Sequence, residues 1–158
     1  MEMLQEAAKT LPVFQSGNLS LGIAVLRMLA KKAASILGSD YDVEIIEAHH
    51  HRKVDAPSGT AKMIYQSLCE GYEEERTAVY GRSGNDCKRQ PQEIGIHAVR
   101  GGTVTGEHQV CFFGPSERIT ISHSAENRAL FATGALRAAQ MIVGKPAGMY
   151  DMEDVVSV

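Results

Sequence analysis

One stretch of the sequence, residues 47–61, holds the residue types best suited to chemistry, and it reads Glu-Ala-His-His-His-Arg-Lys-Val-Asp-Ala-Pro-Ser-Gly-Thr-Ala. Its histidines can exchange protons near neutral pH, because an unperturbed imidazole has a pKa of about 6.5. Ser58-Gly59 is typical of a helix start, where unpaired backbone amides attract an anion. Lys53 can bind a second anionic group. The stretch therefore favours a site that binds a small dicarboxylate and protonates it.

Two other interpretations of this stretch stay open. In the first, Ser58 only caps a helix, and the histidines and Lys53 belong to a solvated loop. In the second, His49 and His51 are zinc ligands, because residues two apart on a strand point to the same face. No cysteine or glutamate stands at a known zinc spacing from them, so we predict no metal.

The elements that position this stretch are predicted from its flanks. Residues 41–48 are rich in Val and Ile, which predicts a strand, and the apolar residues after Ser58 follow helical spacing. The other predicted elements are a strand at 11–14, a helix from Ser20 to Gly38, a loop at 80–93, strands at 94–100, 108–113 and 117–123, and a helix at 126–143. The three consecutive strands suggest an antiparallel meander.

Composition excludes several classes of protein. With 44% hydrophobic and 22% charged residues, the 158-residue chain is typical of a soluble globular domain. A net charge of −3 argues against a nucleic-acid partner. No run approaches the roughly 20 apolar residues of a membrane span, and residues 1–11 do not resemble a signal peptide. Three cysteines without a Cys-x-x-Cys pair predict free thiols and a cytoplasmic location.

The 47–61 stretch also resembles the signature of the dihydrodipicolinate reductases almost position for position. Only the residues at 51, 52 and 54 fall on free positions of that signature. The resemblance extends over nearly the whole chain and includes residues 17–22, 80–82, 93–102, 106–108 and 117–123, followed by Arg128, Phe131-Ala132 and Gly134-Ala135.

The resemblance implies an oxidoreductase of lysine and diaminopimelate biosynthesis. In that family a hydride from NADH or NADPH reduces 4-hydroxy-tetrahydrodipicolinate, a cyclic dicarboxylate, to tetrahydrodipicolinate. By resemblance His49 is a proton donor or acceptor and Lys53 the second proton donor. The implied substrate-binding residues are His50, Gly59 and Thr60, and the segment near the nicotinamide is Ser16, Gly17, Asn18 and Leu19. Leu19 stands where the family usually has Phe.

The resemblance further implies an α/β fold, in which an open, mostly antiparallel sheet carries helices on one side and pairs with sister subunits in a homotetramer. Residues 1–20 would be a remnant of a Rossmann dinucleotide-binding domain, 21–125 the substrate-binding and oligomerisation domain, and 126–158 a helix and tail that return to the dinucleotide-binding domain. The sequence holds no Gly-rich phosphate-binding turn. The alternative function is therefore a truncated dicarboxylate-binding and tetramerisation module without turnover.

Strand geometry sets one condition on this site. Strict alternation would put His49 and Lys53 on one face of the strand and His50 on the other. The backbone must therefore bend if His50 also reaches the substrate. We predict that His51 is structural or solvated.

Overall fold

The structure, a computed structural model, describes residues 2–157, which form two compact units. The first unit combines the chain up to Val25 with the chain from Asn127 onward, and the second is Leu26–Glu126. Within residues 2–157, no helix combines the length and the apolar character that a membrane crossing requires.

The second unit is built on a five-stranded sheet with the strand order β3-β4-β2-β5-β6. The strands are β2 (Asp42–His49), β3 (Thr77–Tyr80), β4 (Glu93–Arg100), β5 (Glu107–Phe113) and β6 (Arg118–Ser124), and the helices are α2 (Leu21–Leu37, which begins in the first unit) and α3 (Gly59–Cys69). A single 3₁₀ turn, Gly38–Asp40, links α2 to β2. β4 runs parallel to β2 and β3, whereas β5 is antiparallel to β2 and β6.

The core lies between the two helices and one face of the sheet. Alternate residues of β2 supply that face with Val43 and Ile45, which are almost fully buried. Ala30 and Ala34 of α2 have no exposed surface, and such small residues let a helix lie close to a sheet. The remaining buried members of this core are Leu26, Ala61, Ile64, Leu68, Ile94, Ile96, Val110 and Phe112.

The predicted α/β class is confirmed, as are the open sheet and the helices on one side of it. Both antiparallel ladders run almost the full length of their strands, whereas the parallel ladder to β3 covers only four residues. The predicted helix starts at Ser20 and Ser58 are also confirmed, because each hydroxyl accepts a hydrogen bond from a first-turn amide, that of Ile23 and that of Ala61.

The predicted meander is wrong for one of its two connections. β5 and β6 form the expected antiparallel pair, but β2 lies between β4 and β5. The physical reason is that the apolar β2 is buried most favourably in the centre of the sheet, and the 101–106 connection crosses its end instead of forming a hairpin. β3 was missed because it is a four-residue edge strand, too short for its periodicity to be recognised.

The first unit contains α1 (Glu2–Ala7), β1 (Pro12–Phe14), α4 (Ala129–Ile142), β7 (Gly148–Tyr150), α5 (Met152–Val156) and the start of α2. β1 and β7 pair in parallel, and Ala24, Ala138 and Met152 form the buried core of this unit. The sequence patterns missed β7 and α5, which follow the predicted break at residues 145–148. The functional assignment of residues 1–20, 21–125 and 126–158 stays a prediction.

Candidate active site

A buried carboxylate organises the end of β2. Glu47 has no exposed surface and occupies the next alternate position after Ile45 on the core face. Arg100, on the neighbouring β4, donates to both of its oxygens, from Nη1 to Oε2 at 2.8 Å and from Nη2 to Oε1 at 2.7 Å. The backbone amide of Ser58 also donates to Oε1, at 2.9 Å. The carboxylate therefore joins β2, β4 and the start of α3.

Glu47 is ionised in spite of its burial. Burial by itself raises the pKa of this carboxyl group, but the hydrogen bonds from Arg100, His49 and Ser58 favour the charged form more strongly, so the pKa lies below its usual range. The site thus contains a permanent negative charge that accepts hydrogen bonds and donates none.

The imidazole of His49 lies against this carboxylate. Its Nδ1 is 2.6 Å from Oε2 of Glu47, and its ring contacts the ring of His108 edge to face, with 5.2 Å between the centroids. Only 12% of the side chain is exposed. A Cβ atom on Gly106 would come within 3.1 Å of Nε2, so the glycine leaves room beside that nitrogen. The ring is therefore bound to Glu47 through Nδ1, and the backbone of Gly106 lies beside Nε2.

His108 is a second, more deeply buried imidazole, on β5 opposite Glu47 in the ladder. Its Nε2 lies 3.1 Å from the hydroxyl of Ser58. Burial, helped by the nearby charge of His49, lowers the pKa of His108 to about 4. His108 is therefore neutral at physiological pH and packs as an uncharged ring behind His49.

The start of α3 faces the same region. Ser58 caps the helix through Ala61, and its amide binds Glu47, so the first turn is held at the carboxylate that also holds His49. Gly59 is exposed, and nothing lies within 4 Å of the position that a Cβ atom would take there. The capping interpretation and the anion-site interpretation are therefore compatible, because the cap uses the amide of Ala61.

The chain bends after His49, as the condition on His50 required. The amide of His50 donates to the carbonyl of Val104 at 2.8 Å, and the amide of Lys53 donates to the carbonyl of His50 at 3.1 Å. Residues 51 and 52 form an exposed turn. The strand alternation on which the zinc interpretation depended thus ends at His49, and the exposed position of His51 agrees with a solvated residue.

Lys53 lies on the rim of the site. Its Nζ donates to Oδ1 of Asp55 at 2.7 Å, and this bond lowers the pKa of the Asp55 carboxyl group. Arg100 donates to the backbone carbonyl of Asp55 at 2.7 Å. The ring of His108 contacts that of His49, and the charge of Lys53 also acts on it.

Five predicted site residues lie in the second unit, on the segment from the end of β2 to the first turn of α3: His49, His50, Lys53, Gly59 and Thr60. The other four, Ser16, Gly17, Asn18 and Leu19, belong to the first unit and form the turn between β1 and α2. The hydroxyl of Ser16 donates to the carbonyl of Asn18 at 2.8 Å, and Oδ1 of Asn18 accepts from the amide of Ser20 at 2.8 Å. The roles of all nine residues stay predictions.

Sequence reasoning missed the supporting residues Glu47, Arg100 and His108. Glu47 could have been identified from the sequence, since a charged residue on the buried face of a predicted strand needs a partner. Arg100 and His108 could not have been identified in this way, because their proximity to Glu47 follows from the pairing of β2 with β4 and β5.

A family model described as "Dihydrodipicolinate reductase, C-terminus" matches residues 22–156. The chain belongs to the dihydrodipicolinate reductase family. It is 53% identical over 156 residues to the 4-hydroxy-tetrahydrodipicolinate reductase of Caldanaerobacter subterraneus subsp. tengcongensis, and 46% identical over 153 residues to that of Clostridium tetani. These matches cover 99% and 97% of this chain, but 62% and 60% of the two reductases.

A solved structure of the same family has a similar fold. It is a dipicolinate-bound dihydrodipicolinate reductase from Paenisporosarcina sp. TG-14, with a TM-score of 0.73 and 25% sequence identity. The similarity covers 99% of this chain and 60% of that one. The family assignment suggested by residues 47–61 is therefore confirmed by sequence and by fold.

Proposed function

We propose that this chain carries the substrate-binding and catalytic part of an NAD(P)H-dependent 4-hydroxy-tetrahydrodipicolinate reductase. One observation carries the proposal: the carboxylate of Glu47 binds both the imidazole of His49 and the amide of Ser58. A proton-transferring group is thereby held beside a helix start that suits an anion. The family relation supports the same reaction.

The substrate would bind through its two carboxylates. One would lie at the first turn of α3, over Gly59 and Thr60, where the structure leaves space beside Gly59. The other would compete with Asp55 for the ammonium group of Lys53, on the exposed rim of the site. His50 would complete the substrate contacts. The dipicolinate bound to the Paenisporosarcina enzyme is a ligand of the same dicarboxylate type.

Reduction adds one hydride and one proton to the substrate and releases one water molecule. We assign a proton transfer to His49, at Nε2, the nitrogen that faces away from Glu47. Lys53 would act as the second proton donor. The partial burial of His49 would limit exchange of its proton with bulk water.

The hydride would come from NADH or NADPH. The residues of this chain that would contact the nicotinamide end are Ser16, Gly17, Asn18 and Leu19. Their turn is closed by its own hydrogen bonds, and Gly17 is exposed, so a flat ring can approach the backbone there. This geometry fits the group, and it does not distinguish NADH from NADPH.

We also propose a homotetramer that assembles through the helix-free face of the sheet. That face carries Ile46, Ala48 and the half-exposed Val99, and the described helices of the second unit pack on the opposite face. A cytoplasmic location is supported by the free thiols of Cys69, Cys87 and Cys111.

The test follows NADPH oxidation with freshly generated 4-hydroxy-tetrahydrodipicolinate, alongside the thermal shift produced by pyridine-2,6-dicarboxylate. His49→Gln and Lys53→Ala should each lower turnover by roughly 100-fold or more, the scale of a lost proton donor. His51→Gln and Lys62→Ala are matched controls, because both residues are exposed and neither contacts the cluster around Glu47.

Three results would be informative. Turnover that depends on His49 and Lys53 supports the reductase. Stabilisation by the dicarboxylate without turnover supports the alternative, a binding and tetramerisation module. The absence of both turnover and stabilisation would contradict the assigned roles, and so would turnover that is unchanged in both active-site variants.

A further inference from the structure

The hydrogen bonds around Glu47 leave little freedom in where protons lie. Its Oε1 faces the amide of Ser58 and Nη2 of Arg100, which can only donate. Its Oε2 faces Nη1 of Arg100, also a donor, and Nδ1 of His49. Among these four partners only the imidazole nitrogen can change between donor and acceptor. The ionised carboxylate, in turn, can only accept.

We infer that Glu47 is a positioning residue that fixes the tautomer of His49: the neutral ring carries its proton on Nδ1, bonded to Glu47, and leaves Nε2, the nitrogen beside Gly106, unprotonated. Arg100 and the Ser58 amide hold the carboxylate in the orientation that this requires. In the protonated ring the same contact binds the proton on Nδ1, so the transferable proton is the one on Nε2.

The importance of this tautomer for turnover rests on the proposed function. A proton donor must lose its proton from the atom that faces the substrate and return to a stable neutral state. With Nδ1 bound to Glu47, the proton leaves from Nε2 and the remaining ring is already the favoured tautomer. The charged and titratable groups at the ring are Glu47 on β2, which Arg100 of β4 also contacts, and His108 on β5. His123 on β6 and Lys53 act in turn on His108.

Replacing Glu47 with glutamine gives a directional prediction. An amide NH₂ at the Oε1 position would face two obligate donors, Ser58 and Arg100. At the Oε2 position it would face one obligate donor and the imidazole of His49. The NH₂ group should therefore settle against His49, which can accept a hydrogen bond only if its proton moves to Nε2. Glu47→Gln should invert the tautomer.

The experiment is long-range ¹H–¹⁵N NMR of the six histidine side chains, recorded as the pH is raised until His49 is neutral. The His49 signal is identified by its loss in His49→Gln. Neutral His49 should carry its proton on Nδ1 in the wild-type chain and on Nε2 in Glu47→Gln. Glu44→Gln is the matched control, since Glu44 lies on β2, contacts His97 at 2.7 Å on the other face of the sheet and should leave His49 unchanged.

A proton on Nε2 in the wild-type chain would overturn the inference, and so would a tautomer that Glu47→Gln leaves unchanged. If Glu47→Gln does not fold, the wild-type spectrum alone still shows which nitrogen of neutral His49 carries the proton. These spectra contain no substrate, so they do not depend on whether the proposed reaction is correct. A wild-type chain that binds no dicarboxylate would contradict the proposed function and not the tautomer.

Kinetics provides the second readout. Glu47→Gln should lower turnover by about 10²- to 10⁴-fold, the range for a lost or misoriented proton-transfer group. The affinity for pyridine-2,6-dicarboxylate should change far less. A parallel loss of binding and turnover would show a merely structural role and overturn the inference.

Discussion

At the residue scale, the site depends on charges that the surrounding structure keeps in defined states. Glu47 is buried and ionised because Arg100, His49 and the Ser58 amide all donate to it. His108, whose ring contacts that of His49, is buried and neutral because burial outweighs the attraction of the Glu47 charge, and its Nε2 bonds an uncharged hydroxyl, that of Ser58. Glu47 and His108 therefore differ in charge state because their hydrogen-bond partners differ, and not because of burial alone.

The low pKa of His108 predicts that acid destabilises the fold. Its folded-state pKa is about 4, against 6.5 for an unperturbed histidine, so between these values the unfolded chain binds a proton that the folded chain excludes. This contribution to stability is complete above pH 6.5 and is lost as the pH falls toward 4. Between pH 7 and pH 5 it should amount to about 2 kcal/mol.

The measurement is urea unfolding of the wild-type chain and of His108→Gln from pH 7 to pH 5. Glutamine can still pair with the Ser58 hydroxyl but cannot titrate, so the variant should show a flatter pH dependence. Burial also lowers the pKa of His123, which contributes with the same sign to both proteins and cancels in the comparison. The same pH dependence in both proteins would contradict a low pKa at His108.

At the element scale, α4 packs against the turn predicted to lie near the nicotinamide. A Cβ atom on Gly134 would lie 1.7 Å from the carbonyl oxygen of Leu19, so helix and turn contact through bare backbone, within the first unit. The missing side chain at residue 134 therefore determines how closely α4 approaches the turn. α3 has its own constraint, since Ser58 both caps it and joins it to Glu47.

Gly134→Ala should destabilise the chain, although alanine favours a helix over glycine by about 1 kcal/mol. The added methyl group has to displace the backbone at Leu19, and overpacking of this kind costs about 1–3 kcal/mol. Urea unfolding at pH 7 measures the change. Gly59→Ala is the matched control, because nothing lies within 4 Å of its added Cβ and stability should not fall. Equal stabilities of the two variants would contradict the close approach.

At the scale of the whole molecule, the helix-free face of the sheet combines apolar residues with a charged cluster. Glu44 lies on this face and receives contacts from Arg82, Arg89 and His97. Gly95 makes room for its carboxylate on the neighbouring strand, since a Cβ atom there would lie 1.7 Å from Oε2 of Glu44. Charges paired in this way, on the same face as Val99, suit a surface that associates with further copies of the chain.

The proposed tetramer predicts a mass of about four times the 17.1 kDa of the chain in sedimentation equilibrium. Val99→Asp should weaken the association at least tenfold, because it puts an unpaired charge into the proposed interface. Val143→Asp is the matched control, since Val143 is 80% exposed and lies in the other unit. A monomeric wild-type chain, or equal effects of the two substitutions, would exclude the proposed interface.

The sequence by itself determined the local features of this protein. The Val- and Ile-rich run before His49, the cap at Ser58 and the helical spacing after Ser20 were all recognisable, because hydrophobic periodicity and capping act over a few residues. The family was recognisable for a similar reason, since residues 47–61 form one continuous segment. Even the bend after His49 could be anticipated from strand alternation.

Only the tertiary structure decided which distant residues meet. The insertion of β2 between β4 and β5 brings Arg100 and His108 to Glu47, across 53 and 61 positions of the chain. Strand order depends on which arrangement buries the most apolar surface, a property of the whole sheet and not of any one segment. The predicted proton donor was therefore visible in the sequence, whereas the carboxylate, guanidinium and second imidazole that define its surroundings were identified as a group only in the fold.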